Sequence, residues 1–285
     1  MEQTRGPSEP IQVVLFGGGP VLERGVKQFI RQLELHPEIV FLAAFCQSET
    51  QSFRAVFHDL WRRRRLLAFP LLLIWAARRV RRYLVRPDAQ ADLDRTIARL
   101  ADRIHYVPDI HAREVLERVR ALQPELGLIY GSPILRPELF EIPALGTLGI
   151  HHGKVPEYRG KKTMFWAMYN GEDTAGVTIQ KVNAGLDTGQ IVKQGEVPIG
   201  GRSQRTVWKD LEALGFSLYV EAIVEVKGGT ATCRPQVGGT GELYGDPGLG
   251  DMLTLWRRRL LRRLGRAGDN LTGPGSVDCY GERGK

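Results

Sequence analysis

The sequence predicts an α/β protein built on a mostly parallel, doubly wound sheet, and three observations lead there. Short β-branched and aromatic runs (Ile11–Phe16, Ile39–Cys46, Ile104–Val107, Leu126–Tyr130, Leu145–His151) alternate with helix-period segments through residue 150. That alternation yields parallel strands joined by crossover helices. The second observation is that the 39–46 run is apolar at almost every position, as strands covered on both faces are. The third is Gly17-Gly18-Gly19-Pro20 directly after the first run, followed by Val26, Phe29, Ile30 and Leu33 at helical spacing. This reads as strand, tight turn and helix.

Each element follows in order. Residues 1–10 hold no apolar run and read as a flexible leader without a secretory signal. The spacing predicts a helix over 21–35 and another over 112–122. Past residue 150 the pattern changes to strands at 177–182 and 190–199, joined by the turn-rich Asn183–Gly189. A helix over 203–226 starts at the N-cap candidate Ser203 and closes at Gly228-Gly229. The expected organisation is a body over 11–236 and a Gly/Arg-rich extension over 237–285. That extension carries one basic helix, 251–264, and a disordered tail from Gly265. No internal repeat is evident.

With 285 residues, 42% apolar and 25% charged, the chain is neither collagen-like nor wholly disordered. Cys46, Cys233 and Cys279 form neither a disulfide framework nor a metal-binding pattern, which suits a reducing, cytoplasmic setting. No metal-ligating cluster is expected. The net charge of +8 is unevenly spread. Nine arginines and no acid lie between Trp61 and Arg86, and six more between Trp256 and Arg266; removing these fifteen from 40 Lys+Arg leaves 25 against 32 Asp+Glu. A mildly acidic body thus carries two cationic segments, a statement about partners rather than fold.

Leu66–Ala77 is twelve mostly apolar residues between arginine clusters, short of the about 20 that a spanning helix needs. With Trp61, Trp75 and Tyr83 it reads as a basic apolar insertion lying in an anionic membrane interface, kinked at Pro70. The 251–264 helix repeats the recipe, with leucines 253, 260, 261 and 264 on one face. Attachment to the inner membrane face through both segments is the leading expectation. Nucleic-acid binding and docking of the basic helix on the protein's own body remain open.

The densest cluster of unusual residues is Gly149-Ile-His-His-Gly-Lys-Val-Pro-Glu-Tyr-Arg-Gly160, followed by Leu186-Asp-Thr-Gly189. Strand carboxyl ends are where open parallel sheets bind ligands. His151 suits proton transfer near neutral pH, and Asp187 could orient it. The plainer alternative is two hydrogen-bonded histidines at a strand end and a tight turn.

His151, Pro156, Tyr158-Arg-Gly160, Trp166-Ala167, Gly171, Gly176-Val-Thr-Ile179 and Leu186-Asp-Thr-Gly189 stand in the order and spacing of the folate-dependent formyltransferases, which this sequence resembles. Weaker similarity extends over residues 11–226. The resemblance implies a Rossmann-like formyltransferase fold and a formyl donor, 10-formyltetrahydrofolate. It further implies that His151 polarises the formyl oxygen and that Asp187 assists proton removal from the acceptor amine through water. The pterin would meet backbone groups of Ser132, Pro133, Ile134 and Leu135 and of Val182, Asn183, Ala184, Gly185 and Leu186. Gly17, Gly18 and Gly19 could cradle an acceptor phosphate, and Arg159, Lys161 and Lys162 favour an anionic acceptor such as an amino sugar.

Two positions depart from the pattern. Gly149 stands where the family has asparagine, so His152 or a backbone N–H would have to replace that donor; Gly153 stands where the family has serine. Four readings stay open: transfer to a small anionic or lipid-linked amine, a methionyl-tRNA formyltransferase-like enzyme, a non-catalytic folate- or sugar-binding protein, and a formyltetrahydrofolate hydrolase. The tRNA enzymes carry a further C-terminal domain, for which the residues after 236 offer no strand series, so tRNA is the less expected partner.

Overall fold

The computed structural model describes residues 9–18, 22, 24–48, 88–237 and 241–269. Most of the leader, Gly19 of the glycine turn, the basic segment 61–86 and the end of the chain lie outside the described residues.

A seven-stranded sheet has the order β3-β2-β1-β4-β5-β7-β8. Its strands are β1 (Ile11–Gly18), β2 (Ile39–Gln47), β3 (Ile104–Val107), β4 (Leu126–Tyr130), β5 (Thr147–His151), β7 (Thr174–Lys181) and β8 (Ile191–Pro198). The five from β3 to β5 run parallel, while β7 and β8 are antiparallel additions beside β5. Helices cover both faces: α1 (Arg24–Leu35) with α6 (Gln204–Lys227) on one, α3 (Arg113–Leu122) with the single turn α4 (Pro137–Phe140) on the other. The helix α2 (Asp88–Arg99) lies beside α1, joined by Lys27–Asp94 at 2.7 Å and Arg31–Asp92 at 2.8 Å.

The continuous apolar runs now have their reason. Val13 and Leu15 face the α1/α6 layer, and Val14 and Phe16 face the α3/α4 layer. The sheet is therefore buried on both sides. The strands β4 and β5 are tied to α6 by Tyr219, which is fully buried. Its hydroxyl donates to the Leu148 carbonyl at 2.7 Å and accepts the Ile129 N–H at 2.9 Å.

Besides α2 and α4, three further elements go beyond the sequence reading. The helix α5 (Thr163–Asn170) follows the motif loop, and β6 (Tyr158–Gly160) pairs in parallel with β9 (Glu242–Tyr244). Tyr244 stacks on Tyr158 at 5.2 Å and on Trp166 at 5.3 Å, so the extension folds back onto the motif. The helix α7 (Leu249–Asp269) then docks through Leu255, with Arg258 donating to the Tyr169 carbonyl at 2.6 Å. It runs past Gly265, where the sequence reading places a disordered tail. The expectation is corrected for 265–269 alone, residues 270–285 lying outside the described residues: a glycine inside a helix costs only about 1 kcal/mol relative to alanine and does not end it. Ser203 caps α6 as expected, accepting the Thr206 N–H at 3.0 Å.

Candidate active site

The strand order reverses at β1, which has β2 on one side and β4 on the other, and open α/β sheets bind ligands outside the carboxyl ends near such a point. His151 is the last residue of β5, at that end. Alternation along the strand puts Thr147, Gly149 and His151 on the α3/α4 face. Across the antiparallel pairing, Gln180 stands opposite Gly149, Thr178 opposite His151, and Gln194 opposite Thr178. The strands thus present a polar row.

That row binds the motif loop by its carbonyls. Thr178 donates to the Gly153 carbonyl at 2.8 Å, Gln194 to Val155 at 3.0 Å, and His151 Nε2 to Tyr158 at 2.8 Å. Burial without such partners would leave each carbonyl unsatisfied, at about 1–3 kcal/mol apiece.

The structure brings His151 and Asp187 together. Nδ1 of the imidazole is 3.4 Å from Oδ1 of the carboxylate, and the two side chains are only 9% and 16% exposed. A carbonyl only accepts, so Nε2 carries a hydrogen toward Tyr158. Nδ1 can donate to Asp187 only when the ring is in its imidazolium form. The carboxylate is itself fixed: Oδ2 accepts the Gly160 N–H at 3.0 Å and Oδ1 accepts Gln180 Nε2 at 3.3 Å. Asp187 has φ 53°, a left-handed conformation that Asp tolerates better than most residues.

Gly153 explains one departure from the family pattern. A Cβ there would collide with His151 Nε2 and come within 2.5 Å of the Tyr158 carbonyl oxygen. Glycine lets the imidazole lie against the loop. Gly149 is different: a Cβ would meet only Val182 Cγ2 at 3.5 Å and Ile129 Cβ at 3.9 Å, so no crowding demands glycine there.

His152 points away from His151. Its ring lies 4.6 Å from Trp208 and edge-on to Tyr130, on the α1/α6 face, and its Nε2 is buried without a partner. Burial, and then the neighbouring His151 charge, push its pKa down to about 3. The unfolded side chain takes up a proton near pH 6.5, so between about pH 6.5 and 3 the unfolded state binds more protons and stability falls with acid. Because the ring is partly exposed, we expect a loss of roughly 1–3 kcal/mol across that window. Denaturant titrations at stepped pH check it, with His152→Phe flattening the slope.

The other expected site residues are placed as follows. Gly17 and Gly18 end β1, and a Cβ on Gly18 would press on the Gly131 carbonyl at 2.7 Å, so the turn lies close against the next loop. Arg159 donates to the Leu186 carbonyl at 2.9 Å and thereby holds the Asp187 loop. Lys161 reaches Asp246 at 3.6 Å, and Lys162 enters α5 in a left-handed conformation. A cavity of about 420 Å³ is walled by Val182, Asn183 and Ala184 on one side and by Pro137, Phe140 and Pro143 on the other. Its first wall belongs to the expected 182–186 loop. In the 132–135 loop Leu135 is buried, Ile134 is exposed, and the Ser132 hydroxyl donates to the Pro133 carbonyl.

Sequence reasoning missed the supporting residues. Thr178 and Gln180 alternate with Val177 and Ile179, and that period-2 polarity was a readable sign of a polar sheet face. Gln236, which donates to the Asp187 and Gly189 carbonyls at 2.9 and 2.8 Å, carried no local signal.

Residues 90–223 match the family model described as formyl transferase. The methionyl-tRNA formyltransferase of Thermodesulfovibrio yellowstonii is 36% identical over 126 residues, 43% of this chain and 41% of that protein. That of Chloroflexus aggregans is 35% identical over 165 residues, 54% of this chain and 53% of that protein. The chain thus spans about half the length of the curated relatives it matches, or less. Among solved structures, a sugar N-formyltransferase from Shewanella sp. superposes with a TM-score of 0.54 at 14% identity, covering 87% of each chain. Glycinamide ribonucleotide transformylase 1 from Symbiobacterium toebii gives 0.54 at 17% identity, covering 81% of this chain and 96% of its own. The matched residues carry the His151–Asp187 pair and most of the sheet around it, so the 90–223 region of this chain is similar to the formyl transferase family, and the chain shares the fold of these solved structures.

Proposed function

We propose that the chain transfers a formyl group from 10-formyltetrahydrofolate to the primary amine of a small anionic acceptor, an amino sugar being favoured. The observation that carries this reading is the buried His151–Asp187 pair at the carboxyl end of β5, 3.4 Å apart. A cavity of about 420 Å³ is lined by Thr147, which opens the strand that His151 closes, and by Val182, which leads into the Asp187 loop; its volume lies within the roughly 300–1,000 Å³ of small-molecule sites. Apolar Phe140, Pro143 and Val182 suit the flat face of a pterin, and the Val182–Ala184 backbone suits its polar edge.

The donor supplies an activated formyl carbonyl. Transfer forms a bond from the acceptor nitrogen to the formyl carbon, breaks the bond to the donor nitrogen, and moves one proton from the first nitrogen to the second. Asp187, ionised, takes up the amine's proton through water. The His151 ring, in its imidazolium form, stabilises by its charge the negative charge that develops on the formyl oxygen. Arg159 and the Asn183 side chain, which accepts from Gly185 N–H and Thr188, keep the Asp187 loop in place.

A second acceptor is favoured by one observation: the sequence relatives reported above are methionyl-tRNA formyltransferases. Release of tetrahydrofolate from 10-formyltetrahydrofolate is therefore measured with amino-sugar nucleotides, with methionyl-tRNA, and with no amine. Amine-dependent release with the sugars is expected. Release with tRNA alone assigns the second acceptor, amine-free release indicates a hydrolase, and folate binding without any release indicates a non-catalytic protein.

We further assign the protein to the surface of an anionic membrane. Among the described residues no helix is long and apolar enough to cross a bilayer. What supports surface attachment is the outer face of α7, where Met252, Leu253 and Trp256 stand exposed beside Arg257. Sedimentation with anionic vesicles is expected to weaken in high salt, on Leu253→Glu/Trp256→Glu, and on deletion of 61–86. Binding that is unchanged by both alterations sinks the assignment.

A further inference from the structure

The segment after α6 crosses the site before it reaches β9. Arg234 forms a two-bond antiparallel bridge with Ile191, at 2.8 Å in each direction. Two residues on, the Gln236 amide is inserted between β7 and the Asp187 loop. Its Nε2 donates to Gln180 Oε1 at 3.1 Å, to the Asp187 carbonyl at 2.9 Å and to the Gly189 carbonyl at 2.8 Å. Two hydrogens serve three acceptors, so one bond is shared.

The consequence runs through amide geometry. A primary amide has one accepting end and one donating end. Once Gln236 engages the oxygen of Gln180, the Gln180 nitrogen must face the other way, and there it donates to Asp187 Oδ1 at 3.3 Å. The same carboxylate oxygen is the one 3.4 Å from His151 Nδ1. Gln236 also grips the backbone of Asp187, whose φ of 53° is sparsely populated and persists only where its surroundings enforce it. One side chain thus fixes both the backbone and the carboxylate of the residue that faces the imidazole.

We propose that Gln236 is a positioning residue of this site, acting through the Gln180 amide to hold the Asp187 carboxylate against His151. The assignment rests on the formyl-transfer reading for its kinetic test and on the His151–Asp187 geometry for its spectroscopic one. Gln236 lies beyond residues 90–223, the part of the chain that matches the family, so the support comes from the chain's own extension.

The full-length chain is tested as Gln236→Leu and as the near-isosteric Gln236→Glu, which removes the donors and keeps the volume. With 10-formyltetrahydrofolate and an accepted amine, both are expected to lower kcat roughly tenfold, the scale of one or two lost charge-assisted bonds. KM for the folate should stay within about twofold, since binding is not what Gln236 supports. The acidic limb of the pH–rate profile should move to higher pH, because a carboxylate deprived of a donor loses support for its ionised form. Gln180→Leu combined with Gln236→Leu should cost less than the sum of the two single losses, as expected of residues that share one chain of contacts. Unchanged kcat and pH profile in either folded variant, or losses that simply add, would overturn the proposal. If the wild-type chain transfers no formyl group, the reading of function fails and the ¹⁵N resonances of the His151 ring decide this one. Displacement in Gln236→Glu supports it, and superimposable spectra sink it.

Discussion

Replacing His151 by alanine is expected to lower the proposed formyl transfer by roughly 10²–10⁴-fold, the range spanned by a positioned general acid–base group. Asp187→Asn is expected to cost about as much, for a geometric reason. The Gly160 N–H at 3.0 Å and the Gln180 amide at 3.3 Å are both donors. An asparagine can turn its oxygen toward only one of them, so its NH₂ meets the other donor, and His151 loses the negative charge beside it. The left-handed backbone at 187 suits asparagine, so the fold tolerates the change. The two side chains work as one unit, and the double variant should be little worse than the poorer single one. Single-turnover release of tetrahydrofolate measures all three. A single variant with wild-type turnover would refute the chemistry assigned to the pair.

The second large effect is a gain. Gly149→Asn is expected to raise kcat by roughly 10²–10³-fold, the worth of one preorganised donor to a developing oxyanion. The position lies on the His151 face of β5, and its nearest Cβ neighbours would be at ordinary contact distance, 3.5 and 3.9 Å. Its φ is not among the positive ones, so a side chain brings no backbone strain. A parallel assay of wild-type and variant chains decides it. Unchanged turnover in a folded Gly149→Asn chain means that another group already supplies the donor.

What could be read in advance, and what could not, separates along physical lines. The parallel core was legible because each strand announces itself locally: Ile11–Gly18 and Ile39–Gln47 are apolar runs bounded by turn residues, and their pairing follows from topology rules that admit few alternatives. His151 and Asp187 were legible only as members of an ordered motif, since nothing in either neighbourhood specifies a distance between them. The positions around them were illegible for a different reason. Gly153 matters through a clash that a side chain would make with His151, and Gln236 through acceptors on three other segments. Such roles exist only in the folded chain. The β6–β9 pairing was hidden likewise, because three-residue strands rich in Gly, Arg and Glu carry little propensity of their own.

That parallel pairing joins Tyr158–Gly160, beside the imidazole, to Glu242–Tyr244, which the family match does not reach. A chimera grafting residues 90–223 into a relative's scaffold would carry His151 and Asp187 but leave behind the strand aligned with Tyr158 and the Gln236 amide. Moving the pair without these supports would separate it from two of the contacts that hold it, both of which lie after residue 223.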